Sequence, residues 1–273
     1  MRDYVGFGVL WVILSALGEW GASAWGNHFY YFVGSTVAAD GQDASKFILL
    51  IGTPIFIFVV MMLFYALFRG SRRELGNSRS QVRSNKAFIS IWVGLSIVIN
   101  LFLFVHPTAS AMQGVFDNAT AINQAAQSNS ANAPLEIDVV ARQWEWFFSY
   151  PQYGISESVD ANGNDILVLP VNRPVKFVLR SYDPSHWYDV QADVIHSFWV
   201  PAFGIKTDVI PGETRYEYVT PTVIASTATN PMMRVQCAEV CGPGHPYMET
   251  PAQVESATDF AAWVKQEQKL QGS

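Results

Sequence analysis

The sequence predicts a membrane-anchored α+β protein, in which a transmembrane helical hairpin precedes an exported all-β domain. Two observations predict this fold class: two long uncharged apolar segments lie in the first 106 residues, and short alternating apolar patterns fill much of the rest. Half of the 273 residues are apolar and only 15% are charged, against about 25% in an average soluble domain. This composition excludes a disordered chain, a collagen-like fibre and a disulfide-stapled miniprotein.

The hairpin is predicted over residues 45–106. Residues 47–68 and 87–105 contain no charged side chain, and each is close to the ~20 residues that a helix needs to cross a bilayer. The loop between them carries six basic residues against the single acid Glu74: Arg69, Arg72, Arg73, Arg79, Arg83 and Lys86. Because short basic loops stay on the cytoplasmic side, we expect the C-terminal domain on the opposite, periplasmic side.

The N-terminal residues 1–25 have two interpretations. The apolar run 5–17 and the small residues Ala22, Ser23 and Ala24 fit a cleaved signal peptide. The weakly positive start and the apolar character after Glu19 instead favour an additional transmembrane helix, which is the interpretation we prefer. Both interpretations give the same topology for the rest of the chain.

Charge is unevenly distributed between the two halves. Residues 1–106 hold 8 of the 17 Lys and Arg and 5 of the 23 Asp and Glu, so the remainder carries a formal charge of -9. An acidic domain argues against a nucleic-acid partner, because nucleic-acid-binding proteins present basic surfaces. It fits a basic protein partner that docks transiently, since complementary potentials raise encounter rates.

After the hairpin, residues 107–134 are rich in Ala, Ser, Asn and Gln and predict an extended linker. From Leu135 onward apolar and polar residues alternate at the period of a half-buried strand. Further strand-like runs lie at 165–170, 175–180, 194–200, 214–219 and 233–237. Several short strands without intervening helices predict an antiparallel sandwich or barrel over 135–258. Residues 259–273 predict a terminal helix and tail.

The only two cysteines lie in one short segment together with a histidine and a methionine. The segment reads Cys237-Ala-Glu239-Val-Cys241-Gly-Pro-Gly-His245-Pro-Tyr-Met248. Its glycines and prolines exclude a regular helix and let a loop gather the side chains around one centre. Thiolates, imidazole and thioether together suit copper. A disulfide is the main alternative in an exported domain, and structural zinc is disfavoured because a thioether is a poor zinc ligand.

Such a loop needs a further ligand from elsewhere in the domain, and His196 is the best candidate because it lies in the strand-like run 194–200. Of the other histidines, His28 and His106 flank membrane segments and His186 lies in a polar loop segment. We therefore do not expect these three to bind metal.

These motifs together resemble subunit II of the cytochrome c oxidases, which are haem-copper oxidases. The resemblance rests on Asp193-Val-Ile-His196-Ser, on the cysteine loop, on the stretch 204–212 and on the aromatic run Arg142-Gln143-Trp144-Glu-Trp146. It covers about residues 45–255 and implies that the exported domain is a cupredoxin-like Greek-key barrel with a binuclear copper A centre.

The resemblance also implies a role for each residue of the motif. Cys237 and Cys241 bridge two coppers, His196 and His245 bind one copper each, Met248 is a weak ligand, and Glu239 contributes its backbone carbonyl. The Glu239 side chain resembles a ligand of a magnesium ion shared with subunit I. Trp144 corresponds to the residue through which electrons arrive, although its strand pattern alone favours a core tryptophan, as it does for Trp146.

The implied function is electron transfer from cytochrome c, or from a small copper protein, to haem in subunit I, where oxygen is reduced to water and protons are pumped. The implied partners are subunit I, subunit III and membrane lipid, in a bacterial plasma membrane or mitochondrial inner membrane. The copper ligands argue against a quinol donor. The alternative function is a membrane-anchored module that binds or delivers copper without passing electrons onward. An anaerobic copper reductase domain is disfavoured by the hairpin.

Overall fold

The computed structural model describes residues 2–26, 32–70, 86–127, 133–160, 162–181 and 194–272. It contains two compact units, one formed by residues 1–29 and 42–113 and the other by residues 30–41 and 114–273. Most of the predicted basic loop, with His28 and His186, lies outside the described residues.

The N-terminal half is helical. Its helices are α1 Arg2–Gly26, α2 Thr36–Gly70, α3 Lys86–Leu103 and α4 Ser110–Gln127. Within the described residues, three spans are long and apolar enough to cross a membrane: Val5–Trp25, Thr36–Phe68 and Lys86–Ala125. The uncharged segment 47–68 therefore lies within α2, and most of the segment 87–105 lies within α3.

Helix α1 packs against the middle of α2. The indole of Trp11 donates a hydrogen bond to the backbone carbonyl of Pro54, over 2.9 Å. Gly18 lies so close to α2 that a Cβ there would come within 2.8 Å of Thr53 and Ile57 side-chain atoms. Small residues at helix contacts allow such close approach in membranes. The retention of residues 1–25 as a transmembrane helix stays a prediction.

The predicted extended linker is wrong for its longest part, because Ser110–Gln127 forms helix α4. Backbone angles of φ -141° and ψ 122° at His106 interrupt the helical path before it. Alanine and glutamine favour helix, and tertiary contacts fix the far end of α4: Ile122 is buried, and the Tyr218 hydroxyl donates to Asn123 Oδ1 over 2.9 Å.

The C-terminal domain is a sandwich of two sheets. Its strands are β1 Leu135–Arg142, β2 Glu145–Ser149, β3 Leu167–Pro170, β4 Val175–Ser181, β5 His196–Val200, β6 Ile205–Val209, β7 Arg215–Val219, β8 Ala225–Ser226, β9 Arg234–Cys237 and β10 Glu249–Glu255. One sheet has the order β2-β1-β4-β7 and the other β3-β10-β9-β5-β6, with β8 paired to β10. The predicted strand runs are confirmed, whereas β6, β8 and β10 are additional.

The pairing is mixed, so the prediction of purely antiparallel sheets is wrong in detail. Strand β1 pairs in parallel with β4, and β3 pairs in parallel with β10. The reason is the order of the chain: β3 belongs to the other sheet, so the chain leaves the first sheet after β2 and returns to it at β4 in the direction of β1.

Alternation along the strands builds the core between the sheets. In β1 every second side chain from Leu135 to Ala141 is buried. The ring of Trp146, which is completely buried, packs edge-on against Phe198 with centroids 5.5 Å apart. Burying one such aromatic side chain contributes about 1.5–3 kcal/mol. Trp146 also packs against His196, so the core supports a predicted ligand.

Residues just before α2 belong structurally to the sandwich. Gly34 N donates to Ala202 O over 2.8 Å, and the buried Ser35 hydroxyl donates to Phe203 O over 2.7 Å while accepting from Ala38 N over 3.0 Å. Ser35 thus caps α2 and ties it to the turn before β6. The sandwich therefore includes a segment about 100 residues upstream of its first strand.

The predicted terminal helix is confirmed as α5, Ala257–Gln271. The side chain of Ser256 caps it by accepting from Asp259 N over 3.1 Å. Phe260 and Val264 are buried against the sandwich, and Trp263 packs on Tyr150 with ring centroids 5.0 Å apart. The helix thereby closes one edge of the core.

Asp165 is expected to destabilise the folded chain at neutral pH. Its buried Oδ1 has no hydrogen-bond partner among the described residues, and burial, followed by repulsion from Glu157 and Glu145, raises the pKa of Asp165 from 3.8 to about 6. The protonated form is therefore favoured by folding, and this stabilisation is complete below pH 3.8 and lost as pH rises through 6. Asp165→Asn should raise the melting temperature at pH 7, with little gain at pH 4.

Asp160 is the matched control, because hydrogen bonds from the backbone amides of Asn164 and Asn162 lower its pKa. Asp160→Asn is expected to give no stabilisation at pH 7. An equal gain for Asp165→Asn at both pH values, or none at pH 7, would contradict the role of its burial.

Candidate metal centre

The cysteine loop joins two neighbouring strands of the larger sheet. Strands β9 and β10 pair through Gln236 and Glu249, and Cys237 N donates to Met248 O over 3.1 Å. The two ends of the loop are thus held together by the sheet. Strand β5 pairs with β9 on its other side, with Phe198 opposite Cys237, and this register brings His196 beside the loop.

The two cysteines are buried free thiols. Their Sγ atoms lie 3.7 Å apart, well beyond the ~2.05 Å of a disulfide bond. The disulfide alternative is therefore not what the structure contains. The separation is also less than twice a metal–thiolate bond of ~2.3 Å, so both sulfurs can contact one metal ion.

Four further predicted donors surround the two sulfurs. His196 Nδ1 lies 3.8 Å from Cys237 Sγ, and the backbone oxygen of Glu239 lies 3.2 Å from the same sulfur. His245 Nδ1 and Met248 Sδ lie 3.6 and 3.8 Å from Cys241 Sγ. The donor atoms of His196, Cys237 and Cys241 all lie within 4.8 Å of one another, as a metal site requires.

Burial shifts the pKa values of two donors, Cys241 and His196, towards their uncharged forms. It is the largest cause that raises the pKa of the Cys241 thiol to about 12, followed by the neighbouring Cys237. Burial, with His245 nearby, lowers the pKa of His196 to about 4. The imidazole is thus neutral and ready to bind, whereas the Cys241 thiol must lose a proton when metal binds.

The donor set fits copper better than zinc. The three sulfurs are soft ligands of the kind that select copper, and imidazole also suits copper. The Met248 thioether, which is completely buried at the centre, is a poor ligand for structural zinc. The Nε2 atom of His196 is buried without a hydrogen-bond partner in the described part of the chain. The residues present therefore fit a copper centre.

The indole ring of Trp144 packs against the cysteine loop, residues 237–248, which we call the metal loop. Its indole Nε1 donates to Cys241 O over 3.1 Å, and a Cβ on Gly244 would come within 2.3 Å of its ring. Only glycine leaves room for the ring at this position. Trp144 is 36% exposed, whereas Trp146 is completely buried. The core position that the strand pattern favours is thus wrong for Trp144 and correct for Trp146.

Sequence reasoning missed Gln143, although this residue lies in the quoted aromatic run. Its side-chain Nε2 donates to Cys241 O over 2.6 Å. No pattern in the sequence connects it with Cys241, which is 98 residues away. Its position directly before Trp144 is the single signal that could have suggested a role.

The Glu239 side chain lies at the exposed surface of the loop. Its Oε1 accepts from Val240 N over 3.2 Å. The neighbouring Val240 is 79% exposed and Tyr247 on the same loop is 84% exposed. The magnesium role of Glu239 stays a prediction.

Comparisons with known proteins agree with this site. Residues 135–256 match the family model for the periplasmic domain of cytochrome c oxidase subunit II. The chain is 28% identical over 240 residues to cytochrome c oxidase subunit 2 of Bacillus subtilis (strain 168), which covers 85% of this chain and 62% of the relative. It is 31% identical over 161 residues to alternative cytochrome c oxidase subunit 2 of Bradyrhizobium diazoefficiens, which covers 50% and 52%. The chain thus spans about half to three fifths of these relatives' lengths.

Among solved structures, the periplasmic domain of subunit II of cytochrome oxidase (CoxB) of Bradyrhizobium japonicum is 28% identical, with a TM-score of 0.40 over 50% of this chain and 94% of that one. The two-sheet sandwich and the family match confirm the predicted cupredoxin-like domain after apolar helices. The match to the family model for the periplasmic domain of cytochrome c oxidase subunit II spans strands β1 to β10 together with every residue of the candidate metal centre.

Proposed function

We propose that this chain is the electron-accepting subunit of a membrane-bound terminal oxidase. Its exported domain takes electrons from cytochrome c, or from a small copper protein, and passes them to haem in subunit I for the reduction of oxygen to water and the pumping of protons. The observation that carries this proposal is the convergence of two free thiols, two imidazoles and a thioether, which come from the cysteine loop and from His196 of β5.

The proposed cofactor is binuclear copper A. Cys237 and Cys241 would hold both ions through shared thiolates, His196 and His245 would each bind one, and Met248 and the Glu239 carbonyl would complete the set. When bound, the copper pair supplies reversible one-electron chemistry. The chain contributes a rigid and dry cage: Cys237 and Cys241 are 2% exposed, and His196 and Met248 are completely buried. A cage that cannot relax keeps ligand movements small when the charge changes.

Trp144 is the proposed site of electron uptake. Its indole reaches the surface on one side and hydrogen-bonds to the backbone of a ligand residue on the other. A donor that contacts the exposed ring is thereby connected to Cys241 through one hydrogen bond and a few covalent bonds. This arrangement provides a short path for electrons from the surface to the buried sulfurs.

The proposed partners follow from the same assignment. The acidic C-terminal half, with a formal charge of -9, faces the periplasm and attracts a basic donor by complementary charge. Subunit I lies next to the metal loop and shares a magnesium ion through the Glu239 side chain, and subunit III and membrane lipid surround the helices. The exposed Val240 and Tyr247 give the loop an apolar surface suited to a permanent neighbour.

The order of reduction tests the proposed function. When reduced cytochrome c is rapidly mixed with the assembled oxidase, absorbance of the copper centre should change before that of the haem. If the centre stays oxidised while the haem is reduced, electrons bypass this chain. If the isolated, copper-loaded chain instead transfers its metal to a copper acceptor, the delivery function is the correct one.

A further inference from the structure

We propose that Gln143 is a positioning residue of the metal loop, which fixes the backbone of Cys241 and the ring of Trp144 in one arrangement. This inference rests on the proposed function, because it concerns how the same centre is built. Gln143 acts through Cys241 and Trp144 and is not itself a metal ligand.

Two side-chain donors converge on a single carbonyl. Gln143 Nε2 lies 2.6 Å and Trp144 Nε1 3.1 Å from Cys241 O. A backbone carbonyl has two lone pairs, so these two donors together use its full accepting capacity. The Gln143 bond is the shorter of the two, so its loss should free the Cys241 peptide more than the loss of the Trp144 bond.

The loop closes tightly over the two donors. Gly242 has φ +117°, and a Cβ there would come within 3.0 Å of Gln143 Nε2 and 3.1 Å of the Trp144 ring. The left-handed angle and the close approach both require glycine. The backbone at Gly242 therefore packs directly against the side chains of Gln143 and Trp144.

These bonds connect the loop to a distant part of the chain. Gln143 and Trp144 lie between β1 and β2 of the smaller sheet, whereas the loop joins β9 and β10 of the larger one. The Cys241–Gly242 part of the loop lies outside the strands, so ladder hydrogen bonds do not hold it. Gln143 is consequently the group that ties the orientation of the Cys241 sulfur to the position of the electron-accepting ring.

Groups that orient a ligand from outside the ligand shell typically change metal affinity by about 10–100-fold when they are removed. We expect the same range for Gln143, expressed as faster loss of copper. Because the Cys241 sulfur also changes orientation, the hyperfine splitting of the copper electron paramagnetic resonance signal should change as well. A purely structural role for Gln143 would leave that splitting unchanged.

The experiment compares Gln143→Leu with Gln152→Leu in the copper-loaded full chain. Gln152 is a matched control, because its Nε2 also donates to a backbone carbonyl, that of Pro134 over 2.9 Å, away from the metal loop. We expect Gln143→Leu to release copper to a chelator about 10–100-fold faster than wild type, with altered hyperfine splitting. Gln152→Leu should match the wild type in both.

Gln143→Glu is the control for a folding defect of the leucine variant. It keeps the size of the side chain, but a carboxylate cannot donate a hydrogen bond to Cys241 O. It should release copper as fast as Gln143→Leu. If both Gln143 variants match Gln152→Leu in release and splitting, the inference is overturned while the proposed function stands. If the wild-type chain itself gives no signal shared by two coppers, it is the proposed function that fails.

Discussion

Trp144→Gln should slow reduction of the copper centre by cytochrome c several-fold or more, because it removes the exposed ring that hydrogen-bonds to Cys241 O. The copper signal of the oxidised chain should stay intact, because Trp144 supplies no ligand atom and Gln143 still holds the Cys241 carbonyl. The measurement is rapid mixing of reduced cytochrome c with the assembled oxidase, followed at the absorbance of the centre.

Trp199→Gln is the control for this prediction. Trp199 is a half-buried tryptophan of β5 in the same domain, so the two variants share the cost of losing an indole. Only the change at Trp144 should slow electron uptake. Equal rates for the two variants would show that electrons arrive elsewhere on the surface.

Cys241→Ser should abolish the proposed binuclear copper centre. The Cys241 sulfur lies within 4 Å of Cys237 Sγ, His245 Nδ1 and Met248 Sδ, so three of the other five candidate donors surround it. A serine hydroxyl is a hard and weak donor for copper, and losing a direct ligand should exceed the ~100-fold effect of losing an outer-shell group. Copper analysis of the purified chain should fall from two ions to at most one.

Near-ultraviolet circular dichroism of the metal-free variant provides the control for folding, because the substitution replaces a single side-chain atom. The spectrum should match that of the metal-free wild type. A Cys241→Ser chain that still binds two coppers would contradict the assignment of this sulfur as a shared ligand.

Local pattern was sufficient to predict the elements that depend on local chemistry. Alternation from Leu135 predicts β1, and the glycines and prolines between Cys241 and Met248 predict a loop. The soft donors of that loop share one short segment, so their chemistry is visible without a structure. Helix α4 is not predicted because the polar composition of residues 107–134 conceals the burial of Ile122 and the hydrogen bond between Asn123 and Tyr218 of β7.

The rest depends on register and on contacts distant in sequence. His196 and Cys237 are 41 residues apart, and the pairing of β5 with β9 is what places them together. The hydrogen bond from Gln143 to Cys241 and the clearance at Gly244 for Trp144 arise because two different sheets meet at the metal loop. No periodicity in the sequence indicates such a contact, so the strand pattern alone predicts a core position for Trp144.

The most direct test of the whole account is low-temperature electron paramagnetic resonance of the copper-loaded chain, combined with copper analysis. The full chain is the proper sample, because Gly34 and Ser35 form part of the sandwich and a fragment starting at residue 135 lacks them. We predict two coppers per chain and a hyperfine pattern from one unpaired electron shared equally by two copper nuclei. A mononuclear pattern with one copper per chain would contradict the account.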